Sequence, residues 1–208
     1  MEAYYKIVNT YKTEGLKGLF IKFIRLRIKV YRSGAILILR RYLNEIPPKK
    51  LKLNVSFKAL GKQNIDEINT LGFLKTQTVN EYLLNGSKCL GAYFEDNLVA
   101  YTWVHYNDYY FPFFDYNFTY KGVPYLGPDF VSPDYRGYGI QVALSTEVYK
   151  QLLDEGFEYV YSSVWPTNTK SIGNLKLVGY KPIKLVKAIR LLNRLVYKKT
   201  KNVDSWDY

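Results

Sequence analysis

The clearest chemical signal in the chain is the stretch Phe130-Val131-Ser132-Pro133-Asp134-Tyr135-Arg136-Gly137-Tyr138-Gly139-Ile140. Glycines at 137 and 139 let the backbone turn tightly and approach a ligand with no Cβ in the way. The stretch joins a strand-like segment to a helix-like one. Amides of such a turn and of the first helical turn point at one spot, which binds anions and phosphates above all. Arg136 adds a fixed positive charge. On the glycines alone, a strand–helix turn in which they serve geometry and Arg136 is solvated accounts for the same letters. The stretch lacks the third glycine of a dinucleotide fingerprint and the Gly-Lys-Ser/Thr of a P-loop.

Such a turn needs a strand before it and a helix after it, and the chain alternates the two beyond Pro47-Pro48. Leu51, Leu53, Val55 and Phe57 alternate with polar residues, which predicts a strand with one wet face. Helical stretches are expected over about 62–72 and 77–85. Leu90–Phe94 and Leu98–His105 flank Glu95-Asp96-Asn97 as a hairpin. Tyr109–Tyr120 is aromatic and extended, and Pro112 makes it an edge strand or loop. Pro124–Val131 reads as a strand, Gly139–Glu155 as a helix and Phe157–Val164 as a buried strand. Thr169–Val178 reads as a short helix ended by Gly179. Ile183–Leu192 fits strand or helix, and no closing hairpin is evident after Pro182.

From Gly15 to Leu43 the spacing predicts a helix. Leu16, Leu19, Phe20, Phe23, Val30 and Tyr31 follow i, i+3, i+4 spacing, and Lys22, Arg25, Lys29 and Arg32 share one basic face. Such a helix can lie in an anionic membrane interface or pack on the domain with a solvated face. Ser33-Gly34 is expected to kink it and Pro47-Pro48 to end it. The expected division is thus 1–48, a basic amphipathic helical extension, and 49–208, the domain.

Charge follows the same division. The chain has 208 residues with net charge +12. Residues 1–58 carry +11, 59–180 carry −5 and 181–208 carry +6. A nucleic-acid domain would spread its basic footprint over the folded body, so a nucleic-acid partner is not expected. Basic ends favour an anionic membrane surface or a partner. One Cys and one His exclude a disulfide framework and a multi-histidine metal centre, and no metal is expected. No secretory signal or spanning segment is read, which makes a cytoplasmic location the expectation, with possible peripheral membrane contact.

The turn also resembles motif A of the GCN5-related N-acetyltransferases, the GNAT superfamily, whose pattern is Arg/Gln-x-x-Gly-x-Gly/Ala. Arg136, Gly139 and Gln141 hold its three signature positions, and Gln141 departs from the small residue expected there. Asn168 opens a short helix that ends in Leu177-Val178-Gly179-Tyr180, similar to the family's second cofactor motif. The order of elements also matches, over about 51–182. The fold the resemblance implies is α/β, a mixed, mostly antiparallel central sheet flanked by helices.

The resemblance implies acetyl-coenzyme A as donor and acyl transfer to a primary amine. Amides from Arg136 through Gly137, Tyr138, Gly139 and Ile140 to Gln141 would hold the pyrophosphate. Strand amides near Asp129, Phe130 and Val131 would bind the pantetheine and polarise the thioester carbonyl. Asn168 would contact the pantetheine arm, cap its own helix, or both. The family often places a general-acid Tyr seven residues after that Asn. Here the position is Leu175, which leaves Tyr161, Tyr180 or water for the role. Asp129 is the candidate base, against the alternative of a turn or bulge carboxylate bonded to backbone. Asp115 and His105 are weaker candidates. The aromatic residues between Tyr101 and Tyr120 suit a sugar or nucleotide-sugar amine of surface polysaccharide assembly, though most must be core. Peptide or protein amines are the alternative acceptors. A non-catalytic domain that binds an acyl-coenzyme A or a partner is the alternative of another class, and Leu175 speaks in its favour.

Overall fold

The computed structural model describes residues 13, 15–18, 31–44, 51–107, 109–118 and 122–208. In chain order the elements are β1 (Tyr31–Tyr42), β2 (Ser56–Leu60), α1 (Ile65–Thr70), α2 (Thr76–Leu84), β3 (Lys88–Phe94) and β4 (Asn97–His105). There follow β5 (Tyr110–Phe111), β6 (Tyr116–Asn117), β7 (Tyr125–Val131), α3 (Ile140–Asp154), β8 (Tyr159–Val164), α4 (Thr169–Leu177), β9 (Lys181–Leu191) and β10 (Arg194–Asn202). Eight strands form one sheet in the order β10-β9-β1-β8-β7-β4-β3-β2. Every neighbouring pair is antiparallel except β7 with β8. The fold is therefore the mixed, mostly antiparallel α/β sheet expected.

One face packs on α3 and α4 through Leu37, Leu39, Ala100, Leu126, Leu144, Val148, Val160 and Leu175. Part of the other face packs on α1 and α2 through Leu60, Ile68, Val79, Tyr101 and Trp103. The rest of that face lies under the β5–β6 hairpin, where Phe114 and Phe118 meet Ile36, Ile38 and Val186. Arg190 clamps this hairpin to β9, donating from Nε to the Phe113 carbonyl at 3.0 Å and from Nη2 to the Pro112 carbonyl. Most of the aromatic segment is thus core, the duller of its two readings.

The N-terminal expectation needs correcting. Residues 31–42 are not helical but form β1, between β8 and β9. The sheet therefore draws on residues before Pro47-Pro48, and position 48 does not part an extension from a domain. The misreading has a physical cause. A strand buried on both faces shows a continuous apolar run, which periodicity alone does not separate from a helix. Ile36 and Ile38 face the aromatic hairpin, Leu37 and Leu39 face α3 and α4, and all four are almost fully buried. Of the basic stripe, Lys22, Arg25 and Lys29 lie outside the described residues. Arg32 sits on β1, 4.8 Å from the ring centre of Phe113. No helix among the described residues is long and apolar enough to cross a membrane.

Two further expectations change. The strand over 50–58 starts only at Ser56. Residues 51–55 run as a loop whose Lys52 N–H donates to the Tyr138 carbonyl at 3.1 Å, while Leu51 and Leu53 still pack inward. Ile183–Leu192 is mostly strand, and β9 with β10 forms the hairpin the sequence hid. Its turn residues Leu192 and Asn193 both have positive φ, 48° and 65°. That conformation favours Asn or Gly at both central positions, so Leu192 conceals the turn.

Four buried side chains of β1, at about 1.5–3 kcal/mol each, contribute roughly 6–12 kcal/mol, comparable to the whole net stability of a domain. A chain shortened to begin at Lys49 is therefore expected to lose its cooperative thermal transition. Circular dichroism melting checks this; a retained transition within about 5 °C of the full chain would contradict it.

Candidate active site

The site begins where two strands part. β7 and β8 share a single register position, Tyr125 opposite Tyr161. There the Tyr161 N–H donates to the Pro124 carbonyl at 3.0 Å, and Ser162 Oγ donates to the Leu126 carbonyl at 2.9 Å. Beyond Leu126 the strands diverge, because Gly127 takes φ 124° and Pro128 has no N–H to offer a neighbour. The β4–β7 register also shifts between Thr102 and Val104 at this level, as a bulge does. His105 supports the bend from β4. Its Nε2 lies 2.7 Å from the Gly127 carbonyl and its Nδ1 2.8 Å from Ser87 Oγ. A carbonyl can only accept, so Nε2 carries the proton and Nδ1 accepts from the serine. Burial pushes His105 down to about 4, which keeps it neutral. It is a satisfied core histidine, not a base.

The cleft between the parted strands is lined by Leu126, Asp129, Gln141, Ser145, Asn174 and Tyr180, among others. At its mouth lies the glycine turn. Gly137 and Gly139 both have φ 83°, the left-handed region where a side chain is strained. A Cβ built at Gly137 would meet nothing within 4 Å, so the turn is open to a ligand. Gly139 is the N-cap of α3 and provides no side-chain cap. The first α3 bond returning to the cap runs from Ala143 N–H to the Gly139 carbonyl, at 3.1 Å. Helix geometry leaves the amides of Ile140, Gln141 and Val142 without intrahelical partners. Arg136 Nε donates to the Val131 carbonyl at 3.1 Å, which holds the exposed guanidinium along the turn. Open glycines, uncapped amides and a fixed cation fit a phosphate-bearing ligand. The parted strands behind them fit an extended arm that can pair with backbone.

Asp129 sits on β7 on the α3 side, ringed by protein yet keeping some surface open to the cleft. Thr102 Oγ1 donates to its Oδ1, and Gln141 Nε2 donates to its Oδ2 at 3.2 Å. Burial raises its carboxyl above the usual range, and these two hydrogen bonds oppose the rise. Its partners are side chains, not the backbone of a turn. Tyr180 lines the same cleft. It is 2% exposed, and its buried hydroxyl lies against that of Tyr149. Burial first, then the neighbouring Tyr149, raises the Tyr180 phenol well above its ordinary value.

The structure does not bring every candidate together. Tyr161 belongs to the opposite face, edge-on to Tyr159 at 5.6 Å and packed with the aromatic group. The Phe130 ring also turns to that face, stacked on Phe73 at 5.2 Å, whereas Val131 packs on the helix side. Tyr138 is exposed at the mouth. Asn168 caps α4, its Oδ1 accepting from the Ser171 N–H at 3.2 Å. Asp115 lies far along the hairpin, bound to Tyr110 and Lys198. Leu175 is an apolar wall of the cleft. Sequence reasoning missed Thr102 and Asn174. The signal for Asn174 was Gln141 itself, since a long amide in a place for a small residue needs a partner. Among the described residues no three His, Cys, Asp or Glu side chains converge to hold a metal.

Residues 63–180 match the family model of the GNAT acetyltransferases, more than half of the chain. The chain belongs to this family, whose members use acetyl-coenzyme A. Three similar solved structures show the same fold. One is a functionally unknown conserved protein from Staphylococcus epidermidis, at 14% identity over 89% of this chain and 67% of that one, TM-score 0.59. A putative GNAT-family acetyltransferase from Novosphingobium aromaticivorans has 15% identity over 76% and 66%, TM-score 0.57. A GCN5-related N-acetyltransferase from Sphaerobacter thermophilus has 14% identity over 89% and 56%, TM-score 0.57. The chain thus spans about two thirds of the first two and little more than half of the third. Comparison with curated proteins finds no match.

Two outcomes follow. Gly139→Glu adds a strained side chain and a negative charge at the anion turn, and is expected to weaken coenzyme A binding at least a hundredfold by calorimetry. Unchanged affinity would remove the turn from the site. The second concerns His105, whose folded pKa of about 4 lies below the ordinary 6.5. The unfolded chain binds the proton first, so stability is full above pH 6.5 and falls as pH drops towards 4, by up to about 3 kcal/mol. Denaturant titrations of the protein and of His105→Gln are expected to show that slope reduced in the variant.

Proposed function

We propose that the chain is an acetyl-coenzyme A-dependent N-acetyltransferase that acts on a primary amine. The observation that carries this is the placing of a part-open carboxylate, Asp129, in the same cleft that opens on the anion-binding glycine turn. Bound there, acetyl-coenzyme A supplies an activated acetyl thioester. Amides from Gly137 to Val142, with Arg136, would hold its phosphates. The β7 edge left without a strand partner beyond Leu126 would hold the amide arm.

The chain's own residues handle protons. An amine must lose a proton to become a nucleophile, and Asp129, raised by its surroundings, is suited to take it directly or through water. Tyr180 lines the same cleft as Asp129 and burial keeps it protonated, so it is the phenol placed to hand a proton to the departing sulfur. Leu175, where the family often has that tyrosine, leaves the role to a residue just past the end of α4.

For the acceptor we favour an amino sugar or nucleotide sugar over a peptide amine. On the face opposite α3, Tyr125 Oη lies 2.7 Å from Ser163 Oγ beside the parting strands. Phe111, Phe113 and the partly exposed Trp165 form a ring-lined border there. Rings with nearby hydroxyls suit the apolar face and polar edge of a sugar. Thiol release with acetyl-coenzyme A and a panel of amino sugars, nucleotide amino sugars and peptides tests both levels. Release with no amine in the panel would favour neither acceptor, and absence of release despite coenzyme A binding would support the non-catalytic alternative.

Asp129→Asn is expected to lower kcat by about 10²–10⁴-fold with coenzyme A affinity nearly unchanged. Tyr180→Phe is expected to lower kcat by roughly tenfold or more, since a thiolate is a fair leaving group without help. Steady-state kinetics with calorimetry checks both, and wild-type turnover in either variant removes that residue from the mechanism.

A further inference from the structure

Gln141 stands where the family pattern has glycine or alanine, and its half-buried side chain is not idle. It lies on the first turn of α3 with both ends of its carboxamide bonded. Nε2 donates to Asp129 Oδ2 at 3.2 Å, and Oε1 accepts from Asn174 Nδ2 at 3.2 Å. With Thr102 donating to Asp129 Oδ1, a chain of four side chains crosses the cleft from α4 through α3 and β7 to β4. The direction of donation is consistent along it. Asn174 gives to Gln141, Gln141 gives to Asp129, and both oxygens of Asp129 accept. Asn174 fixes which end of the Gln141 amide faces the carboxylate, because Oε1 is committed to Asn174. A carboxylate in such a place accepts from neutral donors, which favour its charged form without neutralising it.

We propose that Gln141, oriented by Asn174, is the positioning residue that keeps the Asp129 carboxylate ionised and aimed into the cleft. A residue without a side-chain donor at 141 could not do this. The inference rests on the proposed role of Asp129 as base for its catalytic consequence, but not for its effect on the carboxylate. Among the described residues, the side chains bonded to the Asp129 carboxylate are neutral. The titratable groups that sense the Asp129 charge are Cys89 on β3, Tyr101 on β4, Tyr125 on β7, Tyr149 on α3 and Tyr180 before β9. Burial raises each of them, so all are neutral near pH 7. Thr102 and Gln141 are the two donors bonded to the carboxylate. The guanidinium of Arg41 on β1 lies over Tyr149, 4.3 Å from its ring centre.

Gln141→Met keeps the length of the side chain and removes its donor. Gln141→Ala installs the small residue of the family pattern. Asn174→Ala frees the amide to rotate and serves as the second variant should either fail to fold. The Asp129 carboxyl is followed by carbon-13 titration of the full chain, its signal assigned by loss in Asp129→Asn. Acetyl transfer is measured in parallel across pH. In Gln141→Met and Gln141→Ala the Asp129 midpoint is expected to rise by about one pH unit, and in Asn174→Ala by less, in the same direction. The acid limb of kcat/KM should move with it. An unmoved midpoint in Gln141→Met overturns the proposal. So does a shift in the alanine variant alone, which would make Gln141 a space-filler. A midpoint that rises while the acid limb stays put supports the role of Gln141 and overturns Asp129 as base.

Discussion

A parallel pair of strands that bonds at one position and then parts is the constraint from which the site follows. Unsatisfied backbone inside a protein is costly, so a sheet does not open without a reason on both sides of the gap. On β7 the reason is Gly127-Pro128, where one residue takes a left-handed φ and the next lacks an N–H. On β8 the closing bonds come before the gap, from the Tyr161 N–H and Ser162 Oγ. Thr102, opposite Asp129, supports the carboxylate from β4. The opening between the strands and the turn that enters α3 thus belong to one short run of chain, from Gly127 to Gln141.

β1 makes the opening affordable in structural terms. It fills the sheet between β8 and β9 with side chains buried on both faces, so β8 keeps a full antiparallel partner even where β7 leaves it. β1 also brings Arg41 beneath α4. Arg41 is 4% exposed, and its Nε donates to the Val178 carbonyl just past the end of that helix. A cation at the carboxyl end of a helix is favourable, and here it also lies over the Tyr149 ring. The position of Tyr180, two residues beyond Val178, therefore depends on a strand more than 130 residues away in sequence.

Much of this was legible from local chemistry. The glycine turn, the Asn168 cap, the Glu95-Asp96 hairpin and the helix after Gly139 are each set by residues within a few positions, and the structure has them where the letters place them. What was hidden depends on distant partners. Ile36 to Leu39 could be read as helix or strand until the neighbours on both faces were known. The β9–β10 turn was masked because Leu192 occupies a position that usually announces itself with Asn or Gly. Tyr161 and Tyr180 were equal candidates in sequence, yet strand parity sends one to the aromatic face and burial beside α3 sends the other into the cleft. Asn174 and Thr102 matter only through Gln141 and Asp129, and no spacing rule joins residues from four different elements.

On the proposed reading, the two faces of the sheet would carry different halves of the chemistry, and the gap is where they meet. The anion turn, Asp129 and Tyr180 lie with α3 and α4, whereas the aromatic hairpin lies opposite, held down by Arg190. An amine arriving from the aromatic side would reach the acyl group only through the opening between β7 and β8. Its proton would pass the same way to Asp129. The Tyr125–Ser163 hydrogen bond spans these two strands on the aromatic side, from the last paired residue of β7 to a residue beyond the pairing on β8. It limits how far the opening can extend back into the sheet. The width of the gap is therefore set by the proline and glycine on one strand and by this side-chain bond across it, before any ligand arrives.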